Sequence, residues 1–293
     1  MSYPYRLSAI AVAPDKSVII GGADNIADYP GRILYWDFVS GKLIRAEPWE
    51  HYALARLLVT PDSRTLVSCG RNDRAYSGGG SFAYATDIAS GQRQRLNIPV
   101  EFSYKLWLTE DQNYVMIDDF RWDWRNGGDP VCVNPLPATR AEEYQREGQK
   151  AVLQSNYIQL SGGMNMFCES EAYVLRDAEG TEVRAMTPGH DYNHWRFARM
   201  KVTPDGSHLL APMGTYVPRA AEQNVRLGMW DIASGQLVRE FRVCPHGSLK
   251  DLDITGDSQK AAALVFNPET VIRVLDLQTG AIELDIVTEA SYS

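Results

Sequence analysis

The chain of 293 residues lacks the features that mark several large functional classes. Acidic side chains outnumber basic ones, 37 to 29, and the formal charge is −8. Nucleic acids and anionic membrane surfaces are bound mainly through an excess of lysine and arginine. We therefore expect neither nucleic acid nor membrane as a partner. No apolar run approaches the roughly 20 residues that a membrane helix needs, and the N-terminus lacks the basic-then-apolar run of a secretory signal.

Cysteine is scarce, with four residues in the whole chain and no Cys-x-x-Cys pair. Three of the four lie in apolar, strand-like segments. Free buried thiols are typical of proteins in a reducing compartment. We therefore expect buried free cysteines in a cytoplasmic protein.

Recognisable catalytic motifs are absent as well. The sequence has no Gly-x-Ser-x-Gly, Walker-type or dinucleotide-binding glycine motif. His190-Asp191 and His194 have metal-binding chemistry, but Pro188-Gly189 places the first part in a loop, where the spacing carries no weight. We expect no catalytic residues, no cofactor and no metal site.

The sequence does contain a recurring turn. Asp37-Phe-Val-Ser-Gly41 returns as Asp87 to Gly91, Asp231 to Gly235 and Asp276 to Gly280, with a shortened copy at Asp177 to Gly180 and a degenerate one at Asn134 to Ala138. Aspartate can accept hydrogen bonds from the turn backbone, and glycine can take the positive φ. The copies start 43 to 54 residues apart, which indicates six repeats of similar length.

A second turn precedes each of these copies. Ala13-Pro14-Asp15, Thr60-Pro61-Asp62 and Thr203-Pro204-Asp205 have proline at the first central turn position, and weaker versions stand at Thr109 to Asp111, Ser161 to Gly163 and Thr255 to Asp257. Short apolar or alternating strands flank every turn. Each repeat therefore reads as four antiparallel strands, a to d, in which this turn joins a to b and the Asp-to-Gly turn joins c to d.

Six such repeats predict an all-β protein, a β-propeller of six four-stranded blades in a single domain of residues 1–293. The predicted blades are 5–47, 51–98, 102–145, 153–187, 194–243 and 246–288. We expect the ring to close by packing the first blade against the sixth. A seventh blade is possible if residues 1–5 add an edge strand, and two separate sandwiches are the alternative fold.

These repeats resemble those of WD-repeat proteins, in a degenerate, bacterial-type form. The resemblance rests on Trp36-Asp37 and Trp230-Asp231 at the ends of strands c, and on a histidine eleven residues before the aspartate of the a–b turn, namely His51, His194 and His246. The family's network of histidine, hydroxyl, aspartate and tryptophan does not transfer, because only the fifth repeat has both His194 and Trp230. The resemblance implies a propeller scaffold for protein–protein interaction.

Several connections contain more residues than a tight turn needs. The long b–c connections are 22–31, 71–80, 118–129 and 214–226. In a propeller, the b–c and d–a connections emerge on the same face, and aromatic and arginine side chains dominate binding energy at interfaces. We therefore predict a partner-binding face formed by Tyr29, Trp49, Arg71, Arg74, Tyr76, Arg121, Trp122, Trp124, Tyr192, Trp195, Tyr216 and Arg219.

The segment 118–129 has two other interpretations. Its aromatic residues can fold back as a small satellite core, or its alternating pattern can mean longer b and c strands joined at Asn126-Gly127. A further hypothesis groups Arg71, Arg74, Arg121 and Arg125 as a carboxylate- or phosphate-binding cluster. Asp251 and Asp253 alternate with apolar residues in the last strand a, where we expect them to face the channel.

The functional hypothesis is a non-catalytic propeller that binds another protein, as an adaptor or as a neutralising, immunity-like binder. The alternative is a lactonase-like, six-bladed hydrolase or small-ligand binder with a metal at the channel mouth. A purely structural subunit is the third possibility.

Overall fold

The computed structural model describes most of the repeat framework. It covers residues 7–23, 31–49, 53–71, 81–98, 106–109, 111–117, 120–133, 157–160, 164–169, 172–177, 179–187, 200–213, 225–267 and 269–288. Within these ranges every regular element is a strand, and no helix is long and apolar enough to cross a membrane.

The strands form six four-stranded antiparallel sheets, numbered here in chain order. The first sheet has β1 (Leu7–Val12), β2 (Val18–Ala23), β3 (Gly31–Asp37) and β4 (Leu43–Trp49), and the second has β5 (Ala53–Val59), β6 (Thr65–Arg71), β7 (Ser81–Asp87) and β8 (Arg93–Leu96). The third has β9 (Leu106–Leu108), β10 (Val115–Ile117), β11 (Phe120–Trp122) and β12 (Val131–Cys132), and the fourth has β13 (Tyr157–Gln159), β14 (Asn165–Glu169), β15 (Ala172–Arg176) and β16 (Glu182–Met186). The fifth has β17 (Lys201–Val202), β18 (His208–Met213), β19 (Val225–Asp231) and β20 (Leu237–Cys244), and the sixth has β21 (Ser248–Ile254), β22 (Lys260–Asn267), β23 (Glu269–Asp276) and β24 (Ile282–Thr288).

Each sheet is made of four strands that follow one another in the chain. Every pairing is a hairpin, so the four-stranded repeat unit and the all-β class are confirmed. Each predicted blade contains one sheet, and no sheet extends more than two residues beyond its predicted bounds. The third sheet already ends at Cys132, well before the predicted residue 145.

The c–d turn is held by its aspartate, as the fifth sheet illustrates. The backbone N–H and the hydroxyl of Ser234 both donate to Asp231 Oδ1, at 2.6 Å each. The Gly235 N–H donates to the Asp231 carbonyl at 2.7 Å, with a φ of 74° at Gly235. The same bonds form after Asp37, Asp87 and Asp276. The recurring turn is therefore a scaffold element.

The a–b turn also needs a left-handed residue, but among the five a–b turns that the structure describes glycine supplies it only in the fifth sheet. There Gly206 has a φ of 73°, and its N–H donates to the Thr203 carbonyl at 2.7 Å. The equivalent residues in four other sheets are not glycine, although φ lies between 55° and 61°: Lys16, Ser63, Gln112 and Ser258. A side chain in this conformation costs about 1–2 kcal/mol.

This difference predicts opposite effects of two reciprocal substitutions. Gln112→Gly should raise the free energy of unfolding by about 0.5–1 kcal/mol, because relief of the left-handed strain exceeds the entropy that glycine adds to the unfolded chain. Gly206→Gln should lower it by a similar amount, and no atom lies within 4 Å of a Cβ added there. Urea unfolding of both variants measures the effect, and a loss of stability in Gln112→Gly would contradict the prediction.

The chain divides into two compact units, residues 1–134 with 250–293, and residues 135–249. In the first unit, one apolar cluster joins the sixth sheet to the first, another joins the first to the second, and a third joins the second to the third. In the second unit, a cluster that includes Tyr173 and Trp230 joins the fourth sheet to the fifth. The single-domain assignment stays a prediction.

The first sheet packs against the last one, as the sequence predicts. Asp251 Oδ2 accepts the Ile10 N–H at 3.0 Å, and Asp253 Oδ2 accepts the Val12 N–H at 2.8 Å. Asp251 is only 6% exposed. The two carboxylates therefore act as structural links between β21 and β1.

The thiols agree with the prediction only in part. Cys69, Cys132 and Cys244 form no disulfide, and Cys69 and Cys244 are buried, whereas Cys132 is exposed on β12. The side chain of Cys168 lies outside the described residues. Cys132 is exposed because the third sheet ends in an edge strand of only two residues.

Hydrogen bonds in the c–d turns also set the direction of several pKa values. The hydroxyl and N–H of Ser234 hold the pKa of Asp231 below its ordinary value. Hydrogen bonds from the residue three positions on likewise lower the pKa of Asp37, Asp87 and Asp276. These aspartates stabilise the fold above the unfolded-state pKa of about 3.9, and the contribution is lost as the pH falls through the lower folded-state pKa.

We therefore expect Asp231→Asn to weaken the acid sensitivity of the protein. The asparagine keeps an oxygen acceptor but has no charge to lose, so its urea midpoint should fall less than that of the wild type between about pH 5 and pH 2.5. Asp129→Asn serves as the matched control, because Asp129 is exposed and does not accept the hydrogen bonds of a c–d turn. An equal acid-induced loss in Asp231→Asn and the wild type would rule out this role.

Candidate functional site

Each sheet has two chemically different ends. We call the end with the a–b and c–d turns the turn end, and the opposite end, with the b–c and d–a connections, the loop end. Turns such as 13–16 and 37–41 are short and hydrogen-bonded internally. Connections at the loop end include 24–30, 72–80 and 214–224, which lie outside the described residues. In these three sheets, the additional chain is at the loop end.

The third sheet departs from the predicted assignment. Phe120–Trp122 is strand c, and the next five residues, Asp123 to Gly127, form the c–d turn. The Asn126 N–H donates to Asp123 Oδ1 at 3.1 Å, and the Gly127 N–H donates to the Asp123 carbonyl at 2.8 Å. Trp122-Asp123 is thus a third Trp-Asp pair. Interpreting 118–129 as a b–c insertion, with the c–d turn at Asn134 to Ala138, was wrong.

This reassignment moves two tryptophans away from the loop end. Trp122 is 3% exposed, lies in the core between the second and third sheets, and donates its Nε1–H to the Gly128 carbonyl at 3.1 Å. Trp124 lies in the c–d turn and donates to the Gln112 carbonyl at 2.9 Å. The two side chains attach strand c and its turn to the rest of the third sheet. This arrangement is closer to the predicted satellite core than to an exposed loop.

Trp49 is also a core residue. Its side chain is 1% exposed, and its ring meets Phe82 edge-to-face with centroids 5.0 Å apart. Arg93 lies over the indole at 5.0 Å from the ring centroid. Trp49 therefore joins the first sheet to the second, and its burial corrects its assignment to a partner-binding surface.

The described arginines do not form the predicted anion-binding cluster. Arg71 ends β6 at the loop end of the second sheet, although its side chain lies outside the description. Arg121 is on β11 of the third sheet, where it is exposed and stacks on Tyr114 at 4.6 Å. Arg125 is in the c–d turn, stacks on Trp124 at 4.3 Å and donates to Asn113 Oδ1. Arg71 and Arg125 thus occupy opposite ends of their sheets.

Most of the predicted binding residues lie outside the described residues. These are Tyr29, Arg74, Tyr76, Tyr192, Trp195, Tyr216 and Arg219. Their place in the chain is nevertheless fixed by the strands around them. Tyr29, Arg74, Tyr76, Tyr216 and Arg219 are in b–c connections, and Tyr192 and Trp195 are in a d–a connection.

Two inter-sheet arginines are not evident from the sequence. Arg45 on β4 donates to the Ile88 carbonyl of the next sheet at 2.6 Å. Arg184 on β16 makes the equivalent bond to the Ile232 carbonyl at 3.2 Å. In each case the acceptor directly follows the turn aspartate, so a strand d holds the c–d turn of its successor. The only available signal was an arginine two residues into strand d, which is too common to be diagnostic.

The half-buried carboxylate of Glu47 extends this link between the first and second sheets. Its oxygens lie 3.0 Å from Arg45 Nε and 3.4 Å from an Arg93 terminal nitrogen. The Tyr35 hydroxyl donates to the same carboxylate at 3.3 Å. Burial, with the Glu47 charge second, raises the pKa of Tyr35, so its hydroxyl stays protonated at neutral pH.

In the described part of the chain, no group of three or more His, Cys, Asp or Glu side chains is arranged to hold a metal ion. Comparison with protein-family models finds no match, and comparison with curated proteins finds none either. Function is therefore inferred from the repeat geometry and from where the chain carries additional residues.

The two tryptophans of the third sheet predict different costs of truncation. Trp122→Ala should lower the free energy of unfolding by about 3–5 kcal/mol, because it removes a fully buried indole from the core. Trp124→Ala should cost roughly 1–2 kcal/mol, since its indole is only partly buried and loses one hydrogen bond. Chemical denaturation distinguishes them, and a cost for Trp122→Ala no greater than that for Trp124→Ala would contradict the core assignment.

Proposed function

We propose that the chain is a WD-repeat-like β-propeller that binds another protein through the loop ends of its six blades and catalyses no reaction. The blades are the six four-stranded sheets, and their loop ends carry the proposed binding residues. The proposal includes an adaptor or a neutralising, immunity-like binder as the biological role.

Support for the ring comes from the order of packing within the first unit. The sixth, first, second and third sheets follow one another through three apolar clusters, each formed by neighbouring repeats. The first strands β1 and β5 are also linked directly, because the Ser8 hydroxyl donates to the Leu54 carbonyl at 2.8 Å. Successive sheets with adjacent first strands are typical of propeller blades around an axis.

The observation that carries the binding proposal is the asymmetry between the two ends. At the turn end, side chains such as Asp231 and Ser234 already satisfy the backbone. At the loop end, connections such as 72–80 and 214–224 are longer than strand pairing requires. Loops on a rigid scaffold are where proteins commonly place recognition.

The structure narrows the residues assigned to this face. Trp49 and Trp122 are removed because they are buried, and Arg121 and Trp124 are removed because they lie on strand c and in the c–d turn of the third sheet. The remaining residues combine large aromatic area with directed donors, as binding hot spots do: Tyr29, Arg71, Arg74, Tyr76, Tyr192, Trp195, Tyr216 and Arg219.

Substitutions at opposite ends of the sheets test this assignment. We expect a protein partner captured by the wild type to bind Arg74→Ala/Tyr76→Ala and Trp195→Ala at least tenfold more weakly, because each removes hot-spot side chains. Affinity capture with mass spectrometry identifies the partner, and calorimetric titration of the purified pair measures the affinity.

Trp124→Ala is the matched control, since it removes the same type of side chain from a turn end. It should leave partner affinity unchanged, provided that its thermal melt confirms a folded protein. Loss of binding in Trp124→Ala, with retention in the loop-end variants, would overturn the assignment.

A further inference from the structure

Three buried polar atoms of the second sheet have no hydrogen-bond partner among the residues that the structure describes. Ser68 on β6 and Thr86 on β7 are both 0% exposed, and their hydroxyl oxygens make no hydrogen bond within the structure. The Nε of Arg93 on β8 is likewise buried without a partner. Buried polar groups are nearly always hydrogen-bonded, to protein or to an ordered water.

The strand register places these three residues on one face of the second sheet. Thr86 lies directly opposite Arg93 on one side and Leu66 on the other. Ser68 is two residues beyond Leu66 on the same strand, so it is the diagonal neighbour of Thr86. Side chains two apart on a strand share a face, and diagonal neighbours across antiparallel strands lie within reach of one bridging group.

In the first sheet, the side chain at one of these two positions reaches over the other position. By register, Trp36 and Gly21 are the counterparts there of Thr86 and Ser68. A Cβ added at Gly21 would lie 2.7 Å from Cζ3 of the Trp36 indole. The indole of the first sheet therefore covers its diagonal neighbour. In the second sheet, two small hydroxyl side chains occupy the same pair of positions.

The neighbourhood is closed from solvent by the first sheet. Leu66, on the same face as Ser68 and Thr86, belongs to the apolar cluster that joins the first and second sheets, together with Trp49 and Phe82. The Arg93 guanidinium lies over the rings of Trp49 and Tyr84, at 5.0 and 5.7 Å from their centroids. Its terminal nitrogen pairs with Glu47, a carboxylate that it shares with Arg45.

We propose that Ser68, Thr86 and Arg93 form an internal site for one ordered water molecule between the first and second sheets. The Arg93 Nε–H donates to the water oxygen, and the two hydroxyls exchange hydrogen bonds with it. Three polar partners match the usual coordination of a buried water. Water fits this set because it can accept from the Arg93 Nε–H while it both donates to and accepts from the two hydroxyls.

A double-mutant cycle tests whether the two hydroxyls share a ligand. Ser68→Ala and Thr86→Val each remove one partner of the water, and each should raise the unfolding equilibrium constant by about five- to tenfold. The unfolding equilibrium constant of the double variant should be at most slightly higher than that of either single variant, because each single substitution already removes the water. Urea unfolding monitored by tryptophan fluorescence provides the four constants.

Thr270→Val is the control for a buried hydroxyl whose hydroxyl neighbour, Thr288, already donates to the Thr270 carbonyl at 2.8 Å. Thr270 Oγ1 is also buried and unpartnered, but in the sixth sheet, and its removal should leave the unfolding constant unchanged or lower it. Stabilisation by Ser68→Ala or Thr86→Val, or independent effects that multiply in the double variant, would overturn the site.

A crystal structure of the wild type at high resolution provides a test that needs no variant. The proposal requires a density peak at about 3 Å from Ser68 Oγ, Thr86 Oγ1 and Arg93 Nε. Hydroxyls turned onto backbone carbonyls, with no peak between them, would overturn it.

Discussion

The packing of the first unit depends on hydrogen-bond acceptors for the backbone N–H groups along the outer edge of β1. A first strand pairs on one side only, and buried backbone N–H groups that face away from the sheet still need acceptors. The carboxylates of Asp251 and Asp253 supply them at Ile10 and Val12. Lys16 pairs with Asp257 in the adjoining a–b turns. The first sheet can bury its apolar face against the sixth because these polar groups are satisfied together.

Other contacts between successive sheets are made by a small set of recurring side chains. Arg45 and Arg184 each hold the c–d turn of the following sheet by bonding a backbone carbonyl. Glycine is required where this contact is close, because a Cβ at Gly235 would lie 2.5 Å from Arg184 Cδ. The Asp-to-Gly turn is therefore both a hairpin connection and the surface on which the preceding sheet rests. Its recurrence along the chain reflects packing between repeats as much as turn geometry.

Much of the framework was predictable because its signals are local. The aspartate and glycine of the c–d turns require specific neighbours within five residues, so Asp37, Asp87, Asp231 and Asp276 mark real turns. The third repeat was misassigned because an even spacing between repeats was assumed. Its strands have only two or three residues, and residues 118–119 alone connect β10 to β11. The Trp122-Asp123 pair therefore comes earlier in the chain than evenly spaced repeats would place it. For this reason the aromatic residues around it resemble an insertion between strands b and c.

The candidate site was less predictable, since burial is a property of tertiary packing. Trp49 ends an amphipathic strand beside a connection, which is also where an exposed contact residue would stand. Its burial depends on Phe82 and Arg93 of the next sheet. No local pattern reveals that contact. The sequence can therefore locate the long connections. It does not distinguish aromatic residues that are buried between two sheets from those that are exposed for binding.

The contact between β1 and β21 also has a consequence for synthesis and refolding. Ile10 and Asp251 are 241 positions apart, so the first sheet emerges from the ribosome long before its acceptors exist. Until the last repeat is made, β1 presents an open edge to other chains, a situation that favours mispairing and chaperone dependence. Contacts of such sequence separation also slow folding. The sixth repeat thus supplies the hydrogen-bond acceptors that the first repeat needs.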